Sequence, residues 1–151
     1  MSINKEMINS FLAAPIIAVA GASRNPKKFG YMVLDAMKKK GIRVLPVNPE
    51  TDTIGDLPCY RNVAALPSGT DHLLIVTPKT VTLSVMKESL EKGILNIWVQ
   101  QMSETPEVIE FAKANQMNLV YGKCILMFLE PVQGFHKFHR TLLKLFGRLP
   151  K

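Results

Sequence analysis

Between Pro15 and Gly21 the chain reads Ile16-Ile17-Ala18-Val19-Ala20, a continuous apolar run closed by a breaker at each end. A run of this length with no polar position suits a strand covered on both faces, as in a parallel sheet. Similar runs return at residues 42–47, 73–76, 94–99 and 119–121. Helical periods fill the spaces between them. From Phe29 the apolar positions fall at 29, 33, 36 and 37, and the pattern stops before Gly41. Pro78 opens a second helix, expected to carry Val81, Val85 and Leu90 inward and to end at Gly93. Thr105-Pro106-Glu107 has the form of an N-cap followed by proline at the first helical position, with Val108, Ile109 and Ala112 as the apolar stripe. Residues 50–70 hold three acids, two prolines and two glycines and read as a connection with one short helix.

Strands alternating with helices imply parallel pairing through right-handed crossovers. The expected fold class is α/β, a single Rossmann-like doubly wound sheet of about five mainly parallel strands with flanking helices. All of 1–151 reads as one domain, with a core at about 15–124 and a C-terminal helix at about 131–146. That last helix sets Phe135, Phe138, Leu142 and Leu145 on one face and Lys137, Arg140 and Lys144 on the other.

Composition agrees with a packed domain. At 151 residues, 47% hydrophobic and 21% charged, the chain can bury a core and lacks the signature of disorder. No apolar run approaches the ~18 residues of a membrane span. The first fourteen residues, with Lys5 beside Glu6, do not read as a secretory signal. Cys59 and Cys124 match no metal or redox spacing and read as reduced thiols, so a cytoplasmic location is expected.

The net charge of +7 is unevenly spread. Residues 24–43 carry seven Lys/Arg against one acid, residues 44–122 five against nine, and residues 123–151 six against one. Two basic regions flanking an acidic middle suit an anionic ligand or a nucleic-acid surface; a solvated lysine-rich face is the plainer alternative.

In open parallel sheets ligands bind beyond the carboxyl ends of the strands. After the first strand come Gly21, Ala22, Ser23, Arg24, Asn25, Pro26, Lys27 and Lys28. Glycine lets the backbone approach a phosphate, and the following helix N-terminus favours anions. A glycine at such a turn is also what many α/β turns need for structure alone. No G-x-G-x-x-G is present: the second glycine, Gly30, follows nine residues after the first. Strand two ends on Val47-Asn48-Pro49 rather than on the acid that holds a ribose 2′-hydroxyl in NAD sites. Several cations without that acid suit a nucleotide bearing an extra ribose phosphate. Coenzyme A, with its 3′-phosphate and pyrophosphate, meets this description, and so does NADP. Thr77-Pro78 follows strand three and Gln100-Gln101 follows strand four.

Taken together, Val19-Ala20-Gly21-Ala22-Ser23, Lys28-Phe29-Gly30-Tyr31, Pro46-Val47-Asn48-Pro49, the strand from Asp71 to Pro78, Trp98-Val99-Gln100 and Tyr121-Gly122-Lys123-Cys124 resemble the stand-alone CoA-binding domain proteins of bacteria. That family is similar to the CoA-binding domain of the succinyl-CoA synthetase α subunit. The resemblance runs from about residue 16 to 124. It implies a CoA-binding Rossmann-like fold with no established reaction for stand-alone members, and contacts at Gly21, Ala22, Ser23, Arg24, Lys28, Val47, Asn48, Pro49, Thr77, Pro78 and Gln100. The family usually follows the tryptophan segment with glutamine, proline and glycine; here Gln101-Met102 follows Gln100.

No nucleophile–base pair or metal set stands out. His72 opens strand three, where a structural role is expected. His136 and His139 lie three apart, but no acid or cysteine nearby completes a ligand set. Cys124 reads as a buried small hydrophobe. Three functional readings follow: a non-catalytic module binding CoA or an acyl-CoA, an enzyme using NADP or an acyl-CoA, and a nucleic-acid binder using the basic tail. The tail's aromatics sit at core spacing, which counts against stacking on bases.

Overall fold

The computed structural model describes residues 5–129; the helix expected at 131–146, with His136 and His139, lies outside them. Strands β1 (Ile16–Ala20), β2 (Arg43–Val47), β5 (His72–Ile75), β6 (Asn96–Gln100) and β7 (Asn118–Lys123) form one sheet in the order β2-β1-β5-β6-β7. Every pairing in it is parallel. The crossovers carry helices α2 (Phe29–Lys39), α3 (Lys79–Lys92) and α4 (Pro106–Ala114). This is the doubly wound α/β architecture, and its strand order reverses between β1 and β5.

Both faces are covered, which is why the strands carry no polar alternation. Along β1, Ile17 and Val19 enter one core with Val33, Met37, Leu74 and Trp98. Ala18 and Ala20 enter the other, with Leu73, Ile97, Val85 and Val108. β2 tolerates Pro46 because it is an edge strand, where a missing N–H breaks no ladder bond. Thr105 caps α4 as expected, its hydroxyl accepting from Val108 N at 3.2 Å. Losing such a cap costs about 1 kcal/mol. Gly93 ends α3 at φ 84, a conformation that glycine adopts without penalty.

Four features differ from expectation. On α3, Val81 is 42% exposed, while Thr82, Val85, Met86 and Ser89 face inward. Thr82 and Ser89 are accommodated because their hydroxyls are bonded, Ser89 to Ile94 O at 2.6 Å and Thr82 to Pro78 O at 3.2 Å. The connection at 50–70 holds a two-stranded ribbon, β3 (Thr53–Ile54) with β4 (Leu57–Pro58), besides the short 3-10 helix η1 (Val63–Ala65). A helix α1 (Lys5–Leu12) precedes the sheet and buries Ile8 and Phe11; the Phe11 ring meets Trp98 edge-on at 5.5 Å. Beyond β7 a short turn, α5 (Leu126–Leu129), sets Phe128 edge-on against the same indole at 5.7 Å. No helix among the described residues is long and apolar enough to cross a membrane.

Candidate functional site

Three connections meet where the strand order reverses, at the carboxyl ends of β1, β2 and β5. Gly21 leaves β1 at φ 93, and its N–H donates to Val47 O at 3.3 Å. A Cβ on Gly21 would stand 2.9 Å from Val76 C and 3.0 Å from Thr77 N, so the β1 and β5 ends touch through bare backbone. Gly30, in the first turn of α2, presses on the same loop. A Cβ there would collide with Gly21 O and lie 3.1 Å from Ser23 N. The helix terminus therefore sits directly over the end of β1. That close helix–strand packing is the role of the last glycine in dinucleotide fingerprints, filled here by a glycine nine residues on. Glycine inside a helix costs about 1 kcal/mol relative to alanine, so Gly30 was itself a signal that something approaches closely.

The loop between the two glycines is braced from within. Ser23 Oγ accepts from Asn25 N at 3.0 Å and Asn25 Oδ1 accepts from Lys27 N at 3.0 Å. Lys28 occupies the N-cap of α2 in an extended conformation and supplies no side-chain cap. No side chain therefore caps the N-terminus of α2, whose positive dipole end favours an anion. Arg24, Lys27 and Lys28 are exposed and form no ion pair among the described residues. The N-terminus of α3 is likewise uncapped: Pro78 precedes it and has no side-chain donor or acceptor to offer.

Asn48 ties the second connection to the first. Its Nδ2 donates to Ala22 O at 2.7 Å, and its Oδ1 accepts from Glu50 N at 2.7 Å. Asn48 N in turn donates to Tyr60 O at 2.8 Å. The neutral end of β2 thus acts as a clamp holding the glycine loop, and Pro49 O is gripped by Arg61 at 3.3 Å. At β5, the Thr77 and Thr82 hydroxyls are 2.8 Å apart. Thr82 directs its proton to Pro78 O, an arrangement satisfied when Thr77 is the donor between the two. Gln100, 2% exposed, accepts from Ile125 N at 3.1 Å through Oε1. It lies two strands away from β1, beside the rest of this edge.

Other titratable groups lie elsewhere. His72 lines a cavity of about 280 Å³ with Glu6, Ser10, Asn96 and Asn118, at the amino ends of the strands. Burial holds its imidazole below the ordinary value, against the opposing pull of Asp71. Cys59 and Cys124 are free and buried, and burial pushes both thiols up. A raised thiol is a poor nucleophile. Among the described residues no group of His, Cys, Asp and Glu could hold a metal ion.

A five-stranded parallel sheet with its glycine turn at the β1/β5 reversal defines a Rossmann-like α/β domain. Residues 16–130 match the CoA binding domain family, and the chain belongs to that family. A Pyrococcus furiosus protein, the α subunit of ADP-forming acetate–CoA ligase II, is 29% identical over 130 residues, covering 79% of this chain and 28% of its own. An ADP-forming acetate–CoA ligase II of Archaeoglobus fulgidus is 36% identical over 80 residues, 52% of this chain and 12% of the ligase. This chain thus spans less than a third of the ligase chains it matches. A solved structure of a conserved hypothetical protein from Pyrococcus furiosus superposes with a TM-score of 0.74 at 39% identity. It covers 76% of this chain and 98% of that one.

Proposed function

We propose that this protein binds CoA or an acyl-CoA across the carboxyl edge of the sheet and acts as a binding module rather than a catalyst. The observation that carries this reading is the contact of Gly30 with Gly21, which seats the uncapped N-terminus of α2 on the end of β1. A pyrophosphate there accepts backbone N–H bonds from Ala22 and Ser23, in the loop that Gly21 opens, and lies at the positive end of the helix. Arg24, Lys27 and Lys28 answer the ribose phosphate. Val47, Asn48 and Pro49 form one wall, and Thr77 and Pro78 form the other beneath α3. Gln100 stands at the far end. The neutral Asn48-Pro49 favours a phosphorylated ribose over NAD. The module reading is supported by the single histidine of the described residues lying at the opposite edge, and by buried thiols with raised pKa. Free cysteines fit a cytoplasmic site of action.

Titration calorimetry of the full chain with CoA, NADP and NAD tests the reading. CoA is expected to bind tightest and NAD weakest. A ligand selective for the folded state also raises Tm by mass action. Equal affinity for NAD and CoA would overturn the proposal, and NADP binding more tightly than CoA would move it to the second nucleotide.

A further inference from the structure

His72, Asn96 and Asn118 are the first residues of β5, β6 and β7. The parallel register sets His72 opposite Asn96 and Asn96 opposite Asn118. Neighbouring strands lie about 4.8 Å apart, so the three side chains form one polar row along the rim of the sheet. Side chains two residues apart share a face, and Leu74, Trp98 and Val120 lie in the core that Phe11 of α1 enters. The row therefore looks toward α1, which brings Glu6 and Ser10 from one face of the helix, four residues apart. These five polar residues meet around the cavity of about 280 Å³, whose apolar wall is Met7, Phe11 and Val120. Small-molecule sites run from ~300 to ~1,000 Å³, so this volume suits a small ligand and not a nucleotide.

The polar wall is oriented and rich in acceptors. Asn118 Nδ2 donates to Asn96 Oδ1 at 3.0 Å, and Asn96 Nδ2 donates to Asp71 O at 3.0 Å. This chain of amides runs its N–H groups along the rim and leaves Asn118 Oδ1 as an acceptor. Glu6 adds a carboxylate and Ser10 a hydroxyl oxygen. Burial favours the neutral imidazole of His72, which then brings no positive charge. Among the described residues no Lys or Arg lines the cavity, although the chain holds 19 of them. The backbone adds to the same sign. Residues 93–95 join α3 to β6 and residues 115–117 join α4 to β7, so both helices turn their negative dipole ends toward this rim. Lys92, in the last turn of α3, is held elsewhere by Ala64 O at 2.9 Å.

We propose that the cavity between α1 and the amino ends of β5, β6 and β7 is a second binding site, for a small organic amine. Its ammonium is received by Glu6, Ser10 and Asn118, and its apolar body lies against Phe11 and Val120. An ammonium carries three donors and no acceptor, which matches a wall of acceptors. The site does not depend on the CoA reading, because it stands on the opposite rim, a strand's length of about 15 Å from the glycine loop.

The test is a titration of the full chain, followed by amide NMR, with phenethylamine, phenethyl alcohol and phenylacetate. The three probes share a ring and differ in charge. The amine is expected to bind about five- to tenfold tighter than the alcohol, the excess of a charge-assisted over a neutral hydrogen bond, and phenylacetate more weakly than either. The advantage of the amine should shrink as salt rises. Shifts should centre on residues 6–11, His72, Asn96 and Asn118 and spare Gly21 to Gly30. Glu6→Gln should bring amine and alcohol to equal affinity, and Ser10→Trp, which fills the cavity from exposed α1 surface, should abolish both. The wild-type probe series stands without either variant, should one fail to fold. Equal binding of amine and alcohol by the wild-type protein overturns the amine assignment. Shifts confined to the glycine loop, or no shift with any probe at millimolar concentration, overturn the site.

Discussion

Gly30 in the first turn of α2 rests on the carbonyl oxygen of Gly21, closer than any side chain allows. Through that contact the helix N-terminus reaches the end of β1, while Gly21 itself touches the backbone of Val76 and Thr77. Two glycines thus join strand, helix and neighbouring strand at the point where the sheet order reverses.

Substituting either glycine should therefore damage fold and site together. Gly30→Ala forces the helix away from rigid backbone, at a cost of about 1–3 kcal/mol. Gly21→Ala adds the left-handed penalty of φ 93 to its own clash, for about 2–5 kcal/mol in all. Urea unfolding midpoints measure both. A Gly30→Ala protein as stable as wild type, with undiminished CoA affinity, would contradict the packing described.

Lys28 separates helix stability from ligand binding. Its charge sits at the N-cap of α2, where it adds to the positive end of the helix dipole. Lys28→Ala should leave the free protein unchanged or slightly more stable. It should weaken CoA binding about ten- to a hundredfold, the worth of one charge-assisted phosphate contact. The loss should shrink as salt rises. Calorimetry at two ionic strengths checks this, and unchanged affinity would shift the phosphate contact to Arg24 or Lys27.

Met102 stands where the resembling family has glycine, yet the backbone keeps the glycine-favouring conformation, with φ 80 and the side chain 43% exposed. Met102→Gly should relieve that strain. The gain should be at most about 1 kcal/mol, because glycine also adds freedom to the unfolded chain. The denaturation midpoint should move up. A marked fall would mean that the methionine side chain contributes more packing than its exposure suggests.

His72 should make the protein sensitive to mild acid. Burial favours its neutral form, so its folded pKa lies below the unfolded value near 6.5. Between those two values the unfolded chain binds more protons, and stability rises with pH. The contribution is intact above about 6.5 and is lost as pH falls toward the depressed folded value. Tm followed from pH 7.5 to 5.5 should decline. The His72 ring meets Phe11 edge-on at 5.4 Å. His72→Phe, which can keep that contact, should flatten the decline; an identical slope in the variant would assign it to other groups.

Much of this organisation is written locally. Ile16–Ala20 announces a strand buried on both faces because it contains no polar residue. Thr105-Pro106 and Gly93 mark helix ends because their backbone chemistry allows little else. The basic glycine loop is legible for the same reason, since charge and φ preference belong to individual residues.

Tertiary structure decided what depends on partners distant in the chain. Eight residues of α1 cannot hold a helix by propensity alone; Ile8 and Phe11 become ordered by packing into the core beside Trp98. The two-residue strands β3 and β4 are too short to carry a period. Thr82 displaces Val81 from the interior because Thr77 and Pro78 satisfy its hydroxyl, a compensation no hydrophobicity pattern contains. Periodicity assigns faces by polarity, whereas burial of Thr82 and Gln100 is set by which groups the fold brings within bonding distance. Gly30 combines the two: its identity is visible in the sequence, but its reason, the carbonyl of Gly21, exists only once α2 has folded back onto β1.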